Sequence, residues 1–112
     1  MKPLEEIFSL AGALSGGSDP RLEAICGAVY EYLQQKLRKG VTVEDCRGCF
    51  VFAGGLMSTA VLQALDSEGL SCFNAGTMKL TFENKTNAMV AAAREILEPW
   101  CRDDVAFRGV QG

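Results

Sequence analysis

One stretch near the middle of the chain constrains the fold more than any other. The range Cys49–Leu65 carries no charged side chain, and its only polar side chains are Ser58, Thr59 and Gln63. A helix that is apolar on nearly every side is stable only when other elements pack around it. The sequence therefore predicts a buried central helix over about 42–66, with the rest of the domain built around it.

Length and composition indicate one ordinary globular domain, residues 1–112. A chain of this size buries roughly two-thirds of the surface that it exposes when unfolded. Its 48% apolar and 22% charged residues are typical of a folded protein. Eleven Lys and Arg stand against 14 Asp and Glu, for a net charge of -3. This balance predicts no basic face, so we expect no specific nucleic-acid binding.

The sequence predicts a soluble cytoplasmic protein. Glu5 and Glu6 stand where a signal peptide would enter its apolar run. The uncharged run Gly48–Leu65 contains glycines and polar groups, and we interpret it as too short for a comfortable membrane span. The five cysteines are an odd set, which favours reduced thiols over a disulfide framework.

Two helices are predicted before the central one. The first covers residues 2–14, where Leu4, Ile7, Phe8 and Leu14 form an apolar stripe, and the SGGS segment at 15–18 ends it.

The second helix starts at Asp19 and Pro20, a capping carboxylate followed by a residue suited to the first turn. Apolar residues then recur at helical spacing as far as Leu37. The cations at 36–39 are predicted in the last turn, with Gly40 as a left-handed stop.

The central helix is predicted to open with a capping box, formed by Thr42 and Asp45. Gly54 and Gly55 each lower helix propensity by about 1 kcal/mol relative to alanine. We interpret them as positions where a neighbouring backbone comes close.

After residue 69 the apolar period changes from 3.6 to 2. Met78, Leu80 and Phe82 alternate with polar residues around a turn signal, Asn74 to Thr77. This pattern predicts a β-hairpin over about 71–83. Two strands alone are marginally stable in water, so the hairpin must lean on the helices or on a neighbouring subunit.

A last helix is predicted after the hairpin, capped by Thr86 or Asn87 and closed or kinked by Pro99. The apolar residues of the tail that follows, such as Val105, are expected to dock on another surface. The predicted fold class is mostly α, a four-helix bundle around the buried central helix with one β-hairpin before the last helix.

The one spacing with known reactivity is Cys46-x-x-Cys49. At a helix N-terminus such a pair can be redox-active, but the strand-helix alternation of thioredoxin-like folds is absent, and both residues can face the core as structural thiols. With no histidine in the chain, a zinc site would have to gather Cys26, Cys72 and Cys101, and their spacing does not indicate one. We predict no metal and no cofactor.

The sequence predicts no enzyme. Asp103 and Asp104 resemble a carboxylate pair, but adjacent loop residues usually point apart, and no nucleophile has a visible base. Aromatic and arginine side chains near the C-terminus favour a protein contact at Phe107 and Arg108. Packing on the chain's own core is an equal alternative for Trp100.

Several stretches together resemble small prophage proteins of Gram-positive bacteria, of the head-tail connector (head-completion) type. They are SDPRLEAICGAVYEYLQQKLRKGVTVEDC at 18–46, FNAGTMKLTFE at 73–83 and LEPWCRDDVAFRGV at 97–110. The second stretch is similar to the glycine-centred hairpin of such proteins.

The resemblance implies a non-enzymatic assembly protein of the bacterial host cytoplasm or the virion. Such proteins form rings beneath the portal, extend the DNA channel and contact tail proteins. It implies an interface made by the hairpin and the tail, at Phe73, Asn74, Gly76, Thr77, Met78, Phe107 and Arg108. The alternative function is a cytoplasmic thiol protein, redox or metal-binding, that uses Cys46 and Cys49.

Overall fold

The computed structural model describes residues 2–17, 19–68 and 87–101, and this part of the chain is mostly helical. It contains four α-helices, with two short 3₁₀ turns, Val43–Cys46 and Glu98–Trp100. The helices are α1 (Pro3–Ser15), α2 (Leu22–Gln34), α3 (Arg47–Glu68) and α4 (Ala88–Leu97). The predicted helical character is confirmed.

Helix α3 lies at the centre of the described fold and packs against α1, α2 and α4. Its buried residues lie on most of its circumference: Phe50, Ala53, Gly54, Gly55, Met57, Ser58, Thr59, Ala60, Val61, Leu62 and Leu65. The Thr59 hydroxyl is satisfied inside the helix, where it donates to the Gly55 carbonyl at 2.9 Å. The prediction of a buried central helix is confirmed.

The two glycines of α3 mark a close approach of α1. A Cβ atom at Gly54 would lie 2.6 Å from Ile7 Cδ1, and one at Gly55 would lie 2.5 Å from Leu10 Cδ2. The two glycines were predicted to allow the close approach of a neighbouring backbone. The atoms nearest to them belong instead to side chains of α1.

Helix α1 buries a narrower face than predicted. Ile7 and Ala11, one turn apart, are fully buried. Leu4, Phe8 and Leu14 belong to the predicted apolar stripe, yet they are 39%, 40% and 39% exposed. The prediction that these three residues face the core is therefore wrong. Helix α1 packs closely on α3, and only the row of side chains that includes Ile7 and Ala11 is fully buried there.

Helix α2 begins three residues after Asp19, whose carboxylate accepts the Arg21 N–H at 2.9 Å. It ends at Gln34, so the cations at 36–39 lie beyond its last turn and that part of the prediction is wrong. The reason lies far along the chain: Leu37 forms an antiparallel bridge with Cys101, and the Arg38 N–H donates to the Trp100 carbonyl at 2.8 Å. Gly40 does have a left-handed φ of +90°, but in the following turn.

The capping box before α3 is present as predicted. The Thr42 side chain accepts the Asp45 N–H at 3.3 Å, and the Asp45 carboxylate accepts the Thr42 N–H at 2.8 Å. The box opens the 3₁₀ turn, and α-helical geometry starts only at Arg47.

The N-terminus of α4 is capped by Asn87, one of the two predicted residues, which accepts the N–H groups of Met89 and Val90 at 2.9 and 3.1 Å. Pro99 lies in the 3₁₀ turn that closes the helix. Trp100 is half-buried and packs against the core. The predicted hairpin, 71–83, lies outside the described residues.

Among the described residues, one helical segment, Val43–Asp66, is long and apolar enough to cross a membrane by length and composition, with a mean hydropathy of 1.6. It is longer than the uncharged run Gly48–Leu65, which is predicted to be too short for a comfortable span. Within the fold, 61% of the most apolar window is buried against other helices. Burial of this kind is typical of the core helix of a globular domain.

Candidate functional site

The residues predicted to form the interface lie outside the part of the chain that the structure describes. They are Phe73, Asn74, Gly76, Thr77 and Met78 in the predicted hairpin, and Phe107 and Arg108 in the tail. The same holds for Asp103 and Asp104. The interface remains a prediction.

Cys46 and Cys49 lie at the N-terminal end of α3, as the reactive interpretation requires. Cys46, however, is 4% exposed and directs its thiol to the Thr42 carbonyl, with 3.6 Å between Sγ and O. Burial raises the pKa of Cys46, and the negative charges of Cys49 and Asp45 raise it further. A thiol held protonated in this way is a poor nucleophile.

Cys101 also belongs to this group of thiols. It is 2% exposed and lies close enough to Cys46 for their charges to interact. Burial raises the pKa of Cys101 to about 11, while Lys36 and Arg38 act in the opposite direction. Cys101 therefore lies near Cys46 at the start of α3, an arrangement that the sequence could not show because 54 residues separate the two cysteines.

Cys26 lies separately in α2, buried against α3. Burial raises the pKa of Cys26, and the nearby Ser58 hydroxyl lowers it in part. In the described ranges no set of three or more Cys, Asp and Glu side chains is arranged to hold a metal ion. The burial of Cys26, Cys46 and Cys101 and their raised pKa values favour structural thiols over a reactive pair.

Two arginines tie the helices together at the surface. Arg47 of α3 pairs with Glu6 of α1 at 3.0 Å and with Glu44 at 2.9 Å. The hydrogen bonds that Arg47 donates to Glu44 and Glu6 raise the pKa of Arg47. Because the pairs are solvent-exposed, each contributes little to stability.

The second arginine, Arg21, joins the turn before α2 to the last turns of α3. It pairs with Asp19 at 2.9 Å and with Asp66 at 2.8 Å. The side-chain hydrogen bond from Arg21, helped by its backbone N–H, lowers the pKa of Asp19 to about 2. Both arginines therefore form ion pairs that join different elements of the fold.

The described surface carries large apolar side chains on α1 and α3. Leu4, Phe8 and Leu14 are exposed on α1, and Phe52 on α3 is 47% exposed. Phe52 lines a groove of about 280 Å³ between the two helices, together with Leu10, Gly48, Val51 and the paired Glu6 and Arg47. Sequence analysis missed Phe52, because a helix that is apolar all round gives no periodic signal for its exposed side.

Leu4, Phe8 and Leu14 do not line this groove, whose apolar side chains are Leu10, Val51 and Phe52. No charged or polar group converges on the groove beside Phe52 other than the Glu6–Arg47 pair. Among the described residues, this apolar surface is the strongest candidate for a functional surface. Comparison of the chain with known protein families, with curated proteins and with solved structures finds no match.

Proposed function

We propose that this protein is a non-enzymatic structural subunit of a phage head-tail connector and that it acts through protein-protein contacts. The observation that carries the proposal is the apolar groove between α1 and α3, where Phe52 is 47% exposed. Contact with another protein would remove this exposed apolar area from water. The resemblance at 18–46, 73–83 and 97–110 names the class of assembly.

In this proposal the four helices form a bundle, and a β-hairpin at 71–83 projects from it. The segment lies between α3 and α4, so both of its ends are anchored by helices that pack together. Gly76 and Met78 would lie where the hairpin meets a neighbouring subunit. The tail at Phe107 and Arg108 provides a second contact, with a portal or tail protein.

The proposed partners are further copies of this chain, arranged as a ring, and the portal or tail proteins above and below it. The net charge of -3 is compatible with a ring that lines a DNA channel, since a basic lining would bind phosphates strongly. The proposed location is the cytoplasm of a bacterial host and, after assembly, the virion.

The proposal is tested by measuring the mass of the full chain in solution by light scattering, over a range of concentrations. We expect a concentration-dependent oligomer for the wild type. A Gly76→Val, Met78→Asp variant should be monomeric, because it fills the predicted turn and places a charge on the contacting face.

The matched control is Thr81→Asp, which adds the same charge on the opposite face of the predicted strand and should leave the oligomer intact. Equal loss in the variant and the control would argue against a specific hairpin contact. A wild type that remains monomeric, together with neighbouring genes that encode no capsid, portal or tail protein, would contradict the proposal.

A further inference from the structure

We draw no further inference here: the strongest candidate, the apolar groove of Leu10, Val51 and Phe52 between α1 and α3, belongs to the surface already described, and nothing among the described residues shows what covers it.

Discussion

The thiol of Cys101 shows how burial decides chemistry at a single residue. It lies against Leu37 at the end of the described chain, 2% exposed, and burial raises its pKa from 9.0 to about 11. Folding therefore favours the neutral thiol. Together with the raised pKa of Cys46 in the same cluster, this environment holds the thiols in the form that is least reactive at neutral pH.

We therefore expect stability to fall at alkaline pH in part through Cys101. The folded-state pKa is the higher one, so the stabilisation is complete below pH 9 and is lost as the pH rises to about 11. The loss should be on the order of 3 kcal/mol. Urea denaturation at a series of pH values measures it, and a Cys101→Ser variant should show a flatter decline. Parallel curves for the two proteins would contradict the assignment.

At the scale of elements, the packing of α1 on α3 depends on the absence of a side chain at Gly54. An added Cβ would lie 2.6 Å from Ile7 Cδ1, and Ile7 is fully buried and branched at Cβ, so it has little freedom to move. Overpacking of this kind costs about 1–3 kcal/mol, which exceeds the gain of about 1 kcal/mol in helix propensity.

Gly54→Ala should therefore lower the free energy of unfolding by up to about 2 kcal/mol. Gly27→Ala is the control: it lies inside α2 with no atom within 4 Å of the added Cβ, and it should raise stability by about 1 kcal/mol. Urea denaturation gives both values. Stabilisation by both substitutions would mean that α1 does not lie as close to α3 as described.

The elements also show which information the sequence contains. Local signals, the Thr42–Asp45 box and the Asn87 cap, were readable because their hydrogen bonds join residues two or three apart. The end of α2 could not be predicted in this way. Leu37 lies beyond the helix because it pairs with Cys101, and a local sequence pattern does not indicate so distant a partner. The exposed side of α3 could not be predicted for a different reason. When apolar residues occupy nearly every position of a helix, the pattern does not indicate which side faces solvent. The predicted interface lies outside the described residues.

At the scale of the whole molecule, two phenylalanines of α3 differ in whether they stabilise the core or lie at the surface. Phe50 is fully buried, with its ring edge-on to Tyr30 at a centroid distance of 5.4 Å. Phe52, two residues further along the same helix, is 47% exposed. The first holds the domain together, and the second is available to a partner.

Phe50→Ala should cost about 3–5 kcal/mol, because it removes a buried ring and leaves a cavity. Phe52→Ala should cost less than about 1 kcal/mol. Denaturant unfolding compares their stabilities, and light scattering compares their assembly. We expect Phe52→Ala to weaken self-association while the fold is retained. A large stability loss at Phe52 would mean that its ring supports the core.

The hydrogen bond from Arg38 to the Pro99 carbonyl joins positions 61 residues apart, and the Leu37–Cys101 bridge lies beside it. Contacts between residues so far apart in the chain are costly to form early, so we expect this junction to form late in folding. Substitutions at the junction should then change the rate of unfolding more than the rate of folding. The C-terminal end of the described chain would in that case set how long the native domain stays closed.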